Sequence, residues 1–90
     1  MLDWLIRLII PPEFVIELRD GSATGRKGAI PGPFLSDCSD IARHFQLQGG
    51  RIYGTRGRGG LVLEFSPDLP PESHQRFRNL FGTYRHRFRK

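Results

Sequence analysis

Residues 13–21, Glu-Phe-Val-Ile-Glu-Leu-Arg-Asp-Gly, combine a strict alternation of side chains with a hairpin signal. Phe14, Ile16 and Leu18 point to one face of an extended chain, because successive side chains of a strand alternate between its two faces. The Asp-Gly pair at the end supplies two neighbouring residues that tolerate positive φ, as the tight type I′ turn requires. The stretch therefore predicts a half-buried strand that turns back at once as a β-hairpin.

The return strand and a second hairpin follow from similar reasoning. Residues 22–28 are poor in strand-forming side chains, so we expect either an edge strand or a frayed strand there. Residues 51–55 and 61–65 predict two further strands, joined by the flexible basic loop 56–60, Arg-Gly-Arg-Gly-Gly. The chain therefore holds two hairpins, each with one apolar face.

Each hairpin is followed by a segment whose apolar side chains recur at helical spacing. Pro33 suits the first turn of the first helix, and Asp68 fits the N-cap position of the second. The first apolar stripe consists of Phe34, Cys38, Ile41, Ala42 and Phe45, and the second of Leu69, Phe77, Leu80, Phe81 and Tyr84. We expect Gly49 and Gly50 to stop the first helix, and residues 85–90 to form a frayed tail after the second.

Residues 1–10, Met-Leu-Asp-Trp-Leu-Ile-Arg-Leu-Ile-Ile, form a separate apolar segment that Pro11 and Pro12 end sharply. Arg7 lies in its middle and no small-residue cleavage pattern follows, which is unlike a secretory signal. We predict a short helix that either packs on the domain or lies in a membrane interface. Its apolar stripe at helical spacing consists of Leu2, Leu5, Ile6 and Ile9, flanked by Trp4 and Leu8.

The order of these elements predicts an α+β fold. A two-layer sandwich covers the apolar faces most simply, with a four-stranded, mostly antiparallel sheet of two β-hairpins that carries two helices on one face. The predicted order is ββαββα after the short N-terminal helix. We divide the chain into that helix at residues 1–12, a single α+β domain at residues 13–84 and a basic C-terminal tail at residues 85–90. The order of the strands within the sheet does not follow from the sequence.

Composition and charge limit the classes of function. A chain of 90 residues is one small domain, and its one Cys excludes an internal disulfide and a site of four cysteine ligands. No apolar run reaches the roughly 18 residues of a transmembrane helix. Residues 1–45 carry a net charge of −1 and residues 46–90 a net charge of +6, and twelve of the fourteen cations are Arg. Because Arg favours bidentate contact with phosphate or carboxylate, this asymmetry indicates a polyanionic partner, or else a solvated basic tail.

The spacing of glycine, proline and apolar residues along the chain also resembles a known pattern. The first hairpin is followed by Gly28-x-x-Pro31-x-x-Phe34, Gly50-x-Ile52-x-Gly54, Leu63-x-Phe65-Ser66, Leu69-Pro70 and Gln75-Arg76-x-Arg78-Asn79. Over residues 13–81 this is similar to an uncharacterised family of small bacterial proteins, a domain of unknown function. The resemblance implies a short N-terminal hydrophobic helix before a compact α+β domain with a basic end, and it brings no catalytic residue.

Residue types used in catalysis are present without the arrangements that catalysis needs. Cys38 lies on an apolar stripe and is expected to be a small buried side chain. His44, His74 and His86 lack metal-ligand spacing with one another and with Cys38. The glycine-rich loop 56–60 lacks the Lys-Ser/Thr ending and the following helix of a phosphate-binding loop. We therefore predict that the protein is not an enzyme and holds no cofactor and no metal.

Two segments have the mixture of Arg and aromatic residues that contacts nucleic acid. The loop 56–60 resembles an Arg-Gly RNA-contacting segment, and the C-terminal run alternates aromatic and basic residues. Tyr84 and Phe88 could stack on bases if they are exposed. The predicted polyanion-binding residues are Tyr53, Arg56, Arg58, Arg76, Arg78, Tyr84, Arg85, Arg87, Arg89 and Lys90. A flexible turn and a solvated tail are the structural alternatives.

The leading functional hypothesis is a small basic binding module that contacts RNA or DNA. The alternative is a peripheral membrane or protein-interaction domain that uses the N-terminal helix together with the basic tail, for which both must lie on the same side of the domain. Its predicted membrane-contact residues are Leu2, Trp4, Leu5, Ile6 and Ile9. The predicted location is the cytoplasm, either free or peripheral to the inner membrane.

Overall fold

Four strands and two α-helices follow in the order ββαββα within residues 11–88, the part of the chain that the computed structural model describes. The strands are β1 (Phe14–Arg19), β2 (Ser22–Lys27), β3 (Gly49–Gly57) and β4 (Gly60–Phe65), and the helices are α1 (Gly32–His44), α2 (Pro71–Tyr84) and a 3₁₀ helix (Arg85–Phe88). The predicted α+β class and the two hairpins are confirmed. The predicted N-terminal helix lies outside the described residues.

The four strands form one antiparallel sheet in the order β2-β1-β3-β4. β1 is therefore a central strand, which pairs with β2 on one side and with β3 on the other. Between β1 and β2, Asp20 and Gly21 have φ of 51° and 79°, as the sequence signal for a tight hairpin requires. β2 lies at one edge of the sheet, as its composition predicts, and β4 lies at the other.

Both helices pack on the face of the sheet to which Phe14, Ile16 and Leu18 point. The buried apolar side chains of strands, helices and connections form one cluster, which gives the molecule its two layers. Its members are Phe14, Ile16, Leu18, Phe34, Cys38, Ile41, Ala42, Leu47, Ile52, Leu63, Leu69, Phe77 and Phe81. The alternation along β1 leaves Val15 and Glu17 on the opposite face of the sheet. No helix of residues 11–88 covers that face, and we call it the uncovered face.

The helices differ from the sequence prediction at their ends. α1 ends at His44, several residues before Gly49 and Gly50, because Gln46 adopts a φ of 56° that no helix continues. The two glycines instead begin β3. α2 has no side-chain cap, since Asp68 accepts a hydrogen bond from the Ser66 hydroxyl and does not reach the helix. Within residues 11–88, neither helix is long and apolar enough to cross a membrane.

The C-terminal segment also differs from the prediction of a frayed tail. From Arg85 to Phe88 the chain forms the 3₁₀ helix directly after α2. The ring of Phe88 is half-buried and packs on the core, whereas the three residues before it are exposed. Its apolar ring therefore holds this segment on the domain in spite of the basic neighbours.

Candidate functional site

Three segments meet at one end of the two-layer sandwich. Phe14, at the start of β1, pairs with Gly54 of β3, and its ring stacks on that of Phe88 with 4.8 Å between the centroids. The guanidinium group of Arg85 lies beside the β3–β4 turn. Its Nη1 is 3.7 Å from the position that a Cβ on Gly60 would occupy. The start of β1, the β3–β4 turn and the 3₁₀ helix therefore share this end.

This end of the molecule is basic. Arg56 and Arg58 come from β3 and the turn that follows it, Arg85 and Arg87 come from the 3₁₀ helix, and all four side chains are exposed. The structure thus brings together four of the predicted polyanion-binding residues. We define the basic end as these four residues with one further cation: Lys27, Arg56, Arg58, Arg85 and Arg87.

Lys27 is the member of the basic end that the sequence analysis missed. It ends β2 opposite Val15 of β1, and its side chain is exposed. A signal was available, because the end of the return strand of a hairpin lies beside the start of the first strand. Glu13 also lies at this end, with its Oε2 3.4 Å from Nε of Arg56. Both groups are exposed, so this ion pair contributes little and leaves the basic end strongly positive.

The aromatic residues of the C-terminal run belong to the core. Tyr84 packs edge-on against Phe34, with 5.5 Å between the centroids, and its hydroxyl donates to Oδ2 of Asp37 at 2.9 Å. This hydrogen bond is the main cause that raises the pKa of Tyr84 above its ordinary value. Phe88 packs in the same aromatic cluster. Because both rings already have partners in the core, the expectation that they stack on bases loses its structural basis.

Three other predicted residues lie away from the basic end. Arg76 lies over the ring of Phe45, 5.9 Å from its centroid, on the side of α2 next to α1. Arg78 lies over the ring of Phe65, 5.1 Å from its centroid, on the side of α2 next to β4. Tyr53 is half-buried on the uncovered face of the sheet. The predicted residues therefore divide among several surfaces.

The remaining predicted residues lie outside the described part of the chain: Leu2, Trp4, Leu5, Ile6, Ile9, Arg89 and Lys90. The structure does describe where their segments join the domain. Pro11 and Pro12 lead into Glu13, whose N–H donates to the carbonyl oxygen of Gly54 at 2.7 Å. Phe88, at the other terminus of the described residues, packs beside the same strands. Both terminal segments are therefore attached at the basic end.

Chemically reactive side chains are dispersed over residues 11–88. Cys38 is fully buried, and burial, with a smaller effect of Asp37, raises the pKa of its thiol far above the ordinary value. The ring of His74 stacks on Phe65 with 4.2 Å between the centroids, and its Nε2 lies 3.0 Å from the carbonyl oxygen of Leu69. No group of three or more His, Cys, Asp or Glu side chains in the described residues could hold a metal ion.

Comparison with known proteins bears on the family of the chain and not on its activity. No curated protein and no solved structure matches it. Residues 5–90 match the family described as "Protein of unknown function (DUF3634)". The match includes the whole described domain with its basic end, and it confirms the resemblance to a domain of unknown function. The chain belongs to the DUF3634 family of proteins of unknown function.

Proposed function

We propose that the chain is a non-enzymatic module that binds an anionic membrane surface through its N-terminal apolar segment and its basic end together. The observation that supports the proposal is the position of Glu13, whose backbone bonds to Gly54 at the basic end. Residues 1–10 are therefore attached to the domain beside the basic end. Because the apolar segment joins the domain at the basic end, the segment and the cations can contact the same membrane surface.

Each of the two features is weak without the other. Residues 1–10 include Trp4, a side chain that favours the headgroup boundary, but also the charged residues Asp3 and Arg7. A basic side chain close to an anionic leaflet contributes about 1 kcal/mol. Stable attachment usually needs two such signals acting together. The proposed place of action is accordingly the cytoplasmic face of an inner membrane, where anionic lipids are exposed.

Trp4 is the only Trp of the chain, so its fluorescence reports on the N-terminal segment. We expect a blue shift of the emission when the protein is titrated with vesicles of phosphatidylcholine and phosphatidylserine at low salt. Pure phosphatidylcholine vesicles should give a much weaker response, and added salt should weaken the response to the mixed vesicles, because exposed charges are screened. An emission spectrum of Trp4 that does not change when vesicles are added would contradict the proposal.

Variants separate the two contributions. The double variant Arg56→Gln with Arg58→Gln removes two charges from the basic end and should weaken binding to mixed vesicles by about tenfold or more. The control Arg19→Gln with Arg26→Gln removes the same charge from residues that both pair with Glu17, and it should change binding little. Equal loss in the two double variants would show that net charge, and not the basic end, is responsible.

Nucleic acid is the second candidate partner, favoured by the exposure of Arg56 and Arg58 on the β3–β4 hairpin. Because Tyr84 and Phe88 pack in the core, we propose contact with phosphates rather than stacking on bases. Five phosphate contacts would give a slope of log K against log salt of about −3.5 on single strands. Labelled RNA and DNA oligonucleotides of different sequence test this. Salt-dependent binding to these oligonucleotides, together with no binding to mixed vesicles, would identify nucleic acid as the partner.

A further inference from the structure

The two edges of the sheet are built differently. The outer edge of β2 is partly covered by α1, because the N–H of Ala23 donates to Oγ of Ser39 in that helix at 2.9 Å. Its pairing with β1 shifts register at Val15 and Ile16, and the strand ends in two cations. Irregular pairing and charge are the usual means by which proteins protect an edge strand from further pairing.

The outer edge of β4 is less protected. Its pairing with β3 runs without a register shift from Phe65 to Gly60, and the strand contains neither Pro nor Lys. Its one charged side chain, Glu64, is exposed on the same face of the sheet as Val62. The N–H of Ser66 donates to the carbonyl oxygen of Arg51 in β3. Along an antiparallel strand, every second residue bonds to the neighbouring strand in this way, and the residues between them direct their backbone groups outward. The N–H and C=O groups of Leu61, Leu63 and Phe65 therefore point away from β3.

No hydrogen bond between described residues reaches these outward groups. Beside them, Val62 is the one large apolar side chain that is strongly exposed among the described residues, with 42% of its surface accessible. An edge with unpaired backbone groups and an exposed apolar side chain is suited to accept another strand.

Two arginines and a histidine from α2 and the 3₁₀ helix lie beside this edge. His74 stacks on Phe65 of β4, and Arg78 lies over the same ring at 5.1 Å. Arg85 lies over Phe81 at 5.3 Å and beside Gly60, where β4 begins. From residue 74 to residue 85 a helix rises by about 16 Å, close to the length of about 20 Å of a six-residue strand. We call His74, Arg78 and Arg85 the basic flank.

We propose that β4 accepts an extended acidic segment of a partner protein as a fifth strand of the sheet. Backbone hydrogen bonds to Leu61, Leu63 and Phe65 hold the segment, as in other cases of strand addition. Because side chains alternate, every second residue of the added strand lies next to the basic flank and is acidic. The residues between them lie on the uncovered face of the sheet, beside Val62, and are small or apolar.

A second copy of the chain fits this edge less well. Two β4 strands that pair antiparallel within one continuous sheet keep the helices of both copies on the same face. The two basic flanks would then face each other along the new interface, and the net charge of +5 on each chain adds to the repulsion. Charge therefore selects an acidic partner segment over self-association.

The probe is a fluorescein-labelled peptide of eight residues in which Glu alternates with Val and Thr, and its anisotropy measures binding to the full chain. We expect saturable binding, together with shifts and slower hydrogen exchange of the backbone amides of Leu61, Leu63 and Phe65 in NMR spectra. The same peptide with N-methyl groups on alternate amides, which cannot complete the ladder, should bind at least about tenfold more weakly.

Variants of α2 test the role of charge. Arg78→Gln should weaken peptide binding several-fold, whereas Arg76→Gln should not. Arg76 is the matched control, because it lies on the same helix, over an aromatic ring, on the side next to α1. Trp4→Ser changes the membrane-contact segment of the proposed function and should leave peptide binding unchanged, so the inference can fail or hold independently of membrane attachment.

Three results would overturn the inference. The first is equal binding of the N-methylated peptide, which would show that charge alone attracts it. The second is the absence of saturable binding at millimolar peptide. The third is a dimer in sedimentation experiments that Val62→Lys dissociates, which would assign the β4 edge to a second copy of the chain.

Discussion

Gly54 is a residue whose missing side chain makes room for the core. It is buried in β3 and lies opposite Phe14 of β1. A Cβ at this position would overlap with the ring of Phe14. We expect Gly54→Ala to displace that ring and to lower the free energy of unfolding by about 1–3 kcal/mol, the usual range for overpacking. Urea unfolding followed by circular dichroism measures the change.

Gly59 supplies the control for this substitution. It lies in the β3–β4 turn, and a Cβ there would meet nothing within 4 Å. Gly59→Ala should therefore change the free energy of unfolding by less than about 0.5 kcal/mol. Equal destabilisation of the two variants would show that the contact with Phe14 does not explain the effect at Gly54.

Single residues also show what a local pattern can predict. The inward direction of Phe14 and the burial of Cys38 follow from periods of two and of about 3.6 residues, which are local properties of strand and helix. The close approach of Phe14 to Gly54 does not follow from them, because it depends on the pairing of two strands that are distant in sequence. The hairpin alone places Lys27 beside the start of β1, but its nearness to Arg56 depends on the same pairing of β1 with β3.

The 3₁₀ helix is the element that attaches the C-terminal segment to the core. The ring of Phe88 stacks on Phe14 and packs edge-on against Phe34, with 4.8 Å and 5.3 Å between the centroids. Truncation of a buried Phe costs about 3–5 kcal/mol, and for this half-buried ring we expect Phe88→Ala to lower the free energy of unfolding by about 2 kcal/mol. Urea unfolding again provides the measurement.

His86 is the control within the same element. Its side chain is exposed, so His86→Ala should have an effect below about 0.5 kcal/mol. If Phe88→Ala were as mild as His86→Ala, the contacts of the Phe88 ring would contribute nothing to stability, and the C-terminal segment would behave as a tail.

The expectation of a frayed tail arose from charge, which dominates residues 85–90. The spacing of the aromatic residues contains the opposite signal. Phe77, Phe81, Tyr84 and Phe88 are separated by four, three and four residues, which places them on one face of a continuing helix. The basic composition of residues 85–90 therefore did not exclude helical packing, because the aromatic side chains on one face of the helix pack on the core.

For the whole molecule, the class of fold was predictable and the arrangement of strands was not. Two hairpins, each followed by an amphipathic helix, have few ways to bury their apolar faces, and the α+β sandwich satisfies all of them. The order β2-β1-β3-β4 depends on which strands of the two hairpins pair with each other. The basic end depends on that order too, because it gathers cations from β2, β3 and the 3₁₀ helix.

The same topology predicts that neither ββα half folds alone. β1 of the first half pairs with β3 of the second, and Phe34 of α1 packs against Phe81 and Tyr84 of α2. A hairpin with one helix is left with an exposed apolar face and is at best marginally stable. We expect fragments 1–48 and 49–90 to be unfolded separately by circular dichroism and NMR, and to regain dispersed amide signals when mixed in equal amounts. A dispersed spectrum from either fragment alone would contradict this, and would mean that the pairing of β1 with β3 joins two finished units instead of completing a single core.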